Sequence, residues 1–166
     1  MKIIPLEKLI LVTEFPKLKV IEQLNSIVSP RQNLIFTNKN IDKEKKFEGS
    51  FFGDNFNITR IINYKNSFNP EIIGKISDRL NIVEIEIELK PTLIVQIFML
   101  LWLFGVSFAF IAILIGAIIG EGPIYICIFP LIMFFMAFRI FNYGFSTESE
   151  KAKKDLIEVL HAKIKN

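Results

Sequence analysis

Thr92–Ile119 reads TLIVQIFMLLWLFGVSFAFIAILIGAII, and after Gly120-Glu121-Gly122-Pro123 the stretch Ile124–Tyr143 reads IYICIFPLIMFFMAFRIFNY. Each run is long enough to supply the roughly 20 helical residues that cross a hydrocarbon core about 30 Å thick. Backbone amides cannot stay unpaired in lipid, so such runs are expected as helices. The pattern predicts a transmembrane hairpin within residues 91–145, with spans at about 92–119 and 124–143. Polar segments, residues 1–90 and 146–166, flank it.

Charge placement orients the hairpin. The linker holds one charge, Glu121, and no Lys or Arg. Lys75, Arg79 and Lys90 precede the first span, and Arg139, Lys151, Lys153 and Lys154 surround or follow the second. Basic residues concentrate on the cytoplasmic side of membrane proteins, so both termini are expected to be cytoplasmic. Counting about 20 residues back from Ile119 puts the inner boundary near Leu100. Trp102 then falls in the interfacial aromatic belt, with Gln96 outside the hydrocarbon. Arg139 can extend its charge to the same surface.

Ala112, Gly116 and Gly120 lie four apart, a stripe of small residues that lets another helix approach closely. The second span is expected to pack there, in preference to another copy of the chain. Pro130 is expected to bend the second span. Gln96, Ser107 and Arg139 are the only notably polar residues in the spans, too few for a proton or ion pathway.

The first ninety residues allow one small domain. Residues 8–14 read as a strand. Pro16 suits the first turn of a helix, and Leu18, Ile21, Leu24 and Ile27/Val28 give it an apolar stripe that ends at Ser29-Pro30. Asn33–Lys46 is the least patterned part: Leu34–Phe36 reads as a short strand and Asn38–Lys46 as a solvated loop. Phe47–Phe52 and Phe56–Tyr64 flank a hairpin turn at Gly53-Asp54-Asn55. Pro70–Ser77 and Leu80–Leu89 form a second pair around Asp78-Arg79. Val83, Ile85, Ile87 and Leu89 alternate with Glu84, Glu86 and Glu88, as on a sheet with one packed and one wet face. After the spans, Thr147-x-x-Glu150 reads as a capping box. Ala152, Leu156, Val159, Leu160 and Lys163 share a face of the short amphipathic helix that follows and ends near Lys165. It lies on the sheet, on a partner or on the membrane surface. The expected fold is α+β: a small antiparallel sheet with a covering helix, a transmembrane hairpin, and a short C-terminal amphipathic helix.

The net charge of +3 is too small to argue for nucleic acid. The segment Met1–Lys8 lacks the apolar core and small-residue cleavage site of a signal peptide. The one cysteine, Cys127, lies in the second span, so no disulfide framework arises within the chain. No phosphate loop, nucleophile elbow or metal-ligand spacing is present, and the lone His161 sits on the tail helix. A cofactor, a metal and an enzymatic activity are therefore not expected.

Two polar groups carry functional alternatives. Arg60 and Tyr64, four apart, would share a strand face, with Asn66 and Ser67 in the turn beyond. They read either as a site for a small anionic ligand or lipid head group, or as a turn held by Asn and Ser side chains with Arg60 paired to an acid. Glu84, Glu86 and Glu88 read either as an acidic docking stripe or cation site, or as a solvated face needing a basic neighbour such as Arg60 or Lys75.

The run Phe47-Glu48-Gly49, Phe56 to Pro70 (FNITRIINYKNSFNP) and Gly74, with Phe145 and Glu148 further on, resembles a family of small uncharacterised bacterial membrane proteins. These share an F-x-G…F-x-I-x-R-x-I-x-Y-x-N-S-F-x-P pattern, two spans and a short helix after an F-x-x-E-like element. The resemblance covers most of the chain and implies this architecture and the inner membrane of a bacterium. The expected role is a membrane-anchored cytosolic binding or adaptor domain, an accessory or regulatory subunit of a larger membrane assembly. The alternative is a ligand-sensing effector whose hairpin oligomerises to perturb the membrane. The expected partners are the lipid bilayer and a protein or second copy met through the hairpin.

Overall fold

A computed structural model describes residues 5–30, 45–64, 66–79 and 82–165. The fold is α+β. In chain order the elements are β1 (Glu7–Thr13), α1 (Lys17–Ile27), β2 (Val28–Pro30), β3 (Phe47–Phe52), β4 (Asn55–Arg60), β5 (Glu71–Arg79), β6 (Ile82–Lys90), α2 (Leu93–Ile118), a 3₁₀ turn at Ile124–Cys127, α3 (Ile128–Leu160) and β7 (Lys163–Ile164). The seven strands form one sheet in the order β2-β3-β4-β5-β6-β1-β7.

The sheet is mixed rather than wholly antiparallel. β2 runs parallel to β3, with Val28 opposite Phe47, while the other pairs are antiparallel. The expected stop at Ser29-Pro30 is thus a short edge strand, a position where the missing proline N–H costs the ladder little. The β3–β4 hairpin turns on Gly53-Asp54, with Gly53 at φ 61°, and Asn55 already belongs to β4. Glycine takes this left-handed conformation without a Cβ clash. β4 ends at Arg60, so Tyr64 is not on the strand as expected. Asp78 and Arg79 belong to β5, opposite Val83 and Ile82, rather than to a turn. The expected loop and short strand between 33 and 44 lie outside the described residues.

The core lies between one face of this sheet and two helices. Leu11, Phe56, Ile58, Ile72, Ile76, Val83, Ile85, Ile87 and Leu89 point to that side and are buried. Phe56 lies opposite Gly74, where a Cβ would stand 1.9 Å from its ring, so glycine makes room for the aromatic across the strand pair. α1 presents Val20 and Leu24, with Ile21 and Ile27 partly buried. Its apolar stripe is rotated from the expected one, for Leu18 is 83% exposed.

The larger departure concerns the tail. α3 is one unbroken helix of 33 residues, about 50 Å long, from the second apolar run into the core of the sheet domain. The expected cap at Thr147 does not form. Its hydroxyl instead donates to the Tyr143 carbonyl one turn back, a bond that lets a threonine sit inside a helix. Phe145, Ala152, Leu156 and Leu160 are buried against the sheet. α3 ends at Leu160, not near Lys165, where His161 takes the left-handed conformation (φ 44°) and stacks edge-on against Phe15. Lys163 then lies in β7 against β1.

α2 and α3 are long and apolar enough to cross a membrane. Pro130 lies in the first turn of α3, after the 3₁₀ turn, where its missing N–H would find no helical partner anyway. It starts the helix and does not interrupt it. α2 turns Val95, Met99 and Val106 inward. A Cβ on Gly116 would meet nothing within 4 Å, and Ala112 and Gly120 are exposed. The small-residue stripe therefore faces away from α3, which corrects the expectation that the second span packs on it.

Candidate functional site

The residues singled out after β4 converge on α3. Arg60, the last residue of β4, follows Phe56 and Ile58 on the covered face of the sheet. Its Nε donates to Asp155 Oδ2 at 2.6 Å, and its Nη1 lies 3.7 Å from Glu148 Oε2. Tyr64, beyond the strand, brings its hydroxyl within 2.8 Å of both Glu148 oxygens. Lys151, one turn along α3, donates to Glu148 Oε1 at 2.8 Å and to the Tyr64 hydroxyl at 3.2 Å. Its ammonium also lies over the Tyr64 ring, 5.4 Å from the centroid.

Glu148 is the centre of this clamp, with its side chain only 3% exposed. Burial works against its charged form. Bonds from Lys151 and Tyr64 and the charges of Lys151 and Arg60 outweigh burial, and the carboxyl sits below its ordinary pKa. Burial likewise opposes the Arg60 cation, and the bond and charge of Asp155 more than offset it. Two cations face two anions, so the cluster is balanced. An anionic ligand at Arg60 would compete with two carboxylates already in place.

The four candidate residues thus divide. Arg60 and Tyr64 bind the strand end to α3. Asn66 shapes the loop: its Oδ1 accepts from the Phe68 amide at 3.0 Å, as in an Asx turn. Ser67 is exposed on the same turn. Asn69 closes the loop onto the strand by donating to the Arg60 carbonyl at 2.7 Å.

Phe68 carries the loop into the helices. Its ring lies edge-on to Phe141, 5.6 Å between centroids, and packs with Val95 and Met99 of α2. It also covers Gly144, where a Cβ would stand 2.5 Å from the ring. One loop thus joins the sheet to both long helices. The Glu148, Lys151 and Asp155 partners were missed because the chain was expected to break near Ser146. Their spacing of three and seven residues places them on one face of a continuous helix, which is the signal that identifies them.

The second polar group divides as well. Glu86 is exposed and Glu88 is half-buried beside Lys8 at 2.8 Å. Glu84 is buried, against the wet-face expectation, because Lys165 reaches across β1 to it at 2.5 Å and Arg79 approaches to 3.4 Å. Lys165 above all, against burial, lowers the Glu84 pKa. Arg60 faces the other side of the sheet and is not their partner, while Lys75 is directly opposite Glu86 in register.

α3 has further ties to the domain. Lys153 binds Glu7 of β1 at 2.9 Å and also pairs with Glu150, and Lys46 reaches Glu158 at 3.5 Å. The Thr13 hydroxyl donates to the Leu160 carbonyl at 2.9 Å. Among the described residues no group of three or more His, Cys, Asp or Glu is placed to hold a metal. No family model, curated protein or solved structure matches the chain.

Proposed function

We propose that this chain is a membrane-anchored cytosolic domain that binds or adapts a protein partner, as an accessory or regulatory subunit of a larger membrane assembly in the bacterial inner membrane. The carrying observation is that α3 runs unbroken from an apolar helical hairpin into the core of the sheet domain. A flexible tether would let the domain tumble freely. A continuous helix clamped by Glu148, Asp155 and Phe68 makes hairpin and domain move as one body. Such a body suits the presentation of a surface at a set height and angle above the bilayer. The opposite face of the sheet, with Lys8, Ile10, Ile73, Lys75, Glu86 and Glu88 around a shallow hollow of about 450 Å³, is the surface offered. Mixed charges on an apolar floor favour a protein partner over nucleic acid.

Purification of the full chain in mild detergent from its native host tests this reading. A stoichiometric partner lost on Lys75→Glu supports it. A chain that purifies alone, or a partner indifferent to this face, contradicts it.

One observation favours the effector as a second reading. Gly105, Ala109, Ala112 and Gly116 form a small-residue face on α2 that α3 does not cover. Such a face suits another helix, including that of a second copy.

A further inference from the structure

The loop after β4 roofs a groove of about 820 Å³ between the first turns of α2 and the middle of α3. This is within the ~300–1,000 Å³ range of small-molecule sites. Val95, Phe98 and Trp102 form one wall, and Met133, Met136 and Ile140 the other. The chain has four methionines, and the three within the described residues, Met99, Met133 and Met136, all line this groove. Flexible, polarizable methionines suit an apolar occupant without a rigid shape. No charged side chain is among the lining residues. At the end nearest the sheet, the only polar residues of the lining, Asn66 and Ser67, meet Phe68.

We infer that this groove holds one membrane phospholipid, an acyl chain lying between α2 and α3 with its glycerol ester and phosphate region against Asn66 and Ser67. The inference rests on the reading of α2 and α3 as membrane spans. Polarity is arranged as a lipid needs it, apolar along the walls and hydrogen-bonding at the sheet end. The Lys/Arg pattern and Trp102 place that end at the cytoplasmic interface, where head groups lie. A transmembrane helix fits less well. Its seam would run into the Asn66–Phe68 roof, and the walls are bulky side chains rather than the small residues that helix pairs use. That small-residue face lies elsewhere on α2.

Trp102, the chain's one tryptophan, reports occupancy. Purified full chain in nonionic detergent is titrated with phosphatidylcholine brominated along its acyl chains, which quenches nearby tryptophan fluorescence. The expected result is quenching that saturates at one lipid per chain. Ala137→Phe, which fills the groove, and Met136→Asp, which makes it polar, weaken the lipid at least tenfold. Ser67→Ala weakens it several-fold. All three keep the wild-type circular dichroism. Quenching that rises without saturation and ignores the well-folded variants overturns the inference in favour of general lipid contact. A dimer that Ala137→Phe dissociates overturns it in favour of a second copy. No quenching in fully brominated vesicles overturns the membrane reading itself.

Discussion

The Tyr64 hydroxyl lies 2.8 Å from each carboxylate oxygen of Glu148, although 84 residues separate the two in sequence. This contact joins the loop after β4 to the midpoint of a helix that begins in the apolar hairpin. It turns a strand end, a loop and a long helix into one load path between the sheet and the apolar hairpin.

Arg60→Ala leaves Asp155 without its guanidinium partner and removes one of the cations facing Glu148. Exposed pairs contribute about 0–1 kcal/mol, and breaking a fully buried pair costs about 3–5 kcal/mol. The Arg60 side chain is 23% exposed and Asp155 21%, so a loss of about 2 kcal/mol is expected. Thermal unfolding in detergent measures it. A double-mutant cycle with Asp155→Ala isolates the pair, and a coupling near zero would show that the two side chains do not depend on each other.

The clamp also sets an acid limit. The Glu148 pKa is lowered in the folded protein, so its contribution is present above the ordinary value of 4.5 and fades as pH falls through the lower folded value. Arg60 and Lys151 have raised pKa values. Their contribution is full below the ordinary values and disappears only at strongly alkaline pH. Stability attributable to the clamp is therefore flat across neutral pH and declines below about pH 4.5. Glu148→Gln is expected to be less stable at pH 7 and to show a shallower acid decline than wild type. Equal acid slopes would remove Glu148 from the account.

Gly144 is occupied by the Phe68 ring. Gly144→Ala forces a Cβ to within 2.5 Å of it, and overpacking of this kind costs about 1–3 kcal/mol. Phe68→Leu in the same chain is expected to restore part of the loss. Additive penalties would mean that the ring and the glycine do not share one site.

Gly116→Leu is expected to leave the unfolding of the isolated chain unchanged to within about 0.5 kcal/mol, since a Cβ there meets open space. Size-exclusion chromatography in detergent then separates two states. Loss of a wild-type oligomer supports the second reading, in which this face pairs copies. A destabilised monomer would place α3 against it after all.

Much of the fold was legible where periodicity is strong. The alternation in β6, the strand β1 and the two apolar runs depend on local pattern alone, and the described elements follow them. Breaks were harder to read. Thr147 and Glu150 have the chemistry of a helix start, yet Phe145, Ala152, Leu156 and Leu160 gain more from one continuous helix buried on the sheet, so packing overrides the local signal. Arg60 and Tyr64 were legible as an unusual pair but not as partners of Glu148, since contacts across 84 residues leave no spacing in the sequence. The parallel β2–β3 pair escaped for the same reason. Its three residues are too few to show a period.

The central claim is that sheet domain and tail lie on one side of a membrane and the hairpin tip on the other. Single cysteines at Glu121 in the tip and Asp54 in the sheet domain, in a Cys127→Ser chain, are treated in intact cells with a membrane-impermeant maleimide. The account predicts labelling at Glu121→Cys once the outer envelope is opened, and at Asp54→Cys only after the inner membrane is lysed. Labelling of both positions before lysis, or of neither tip nor domain until lysis, would contradict it.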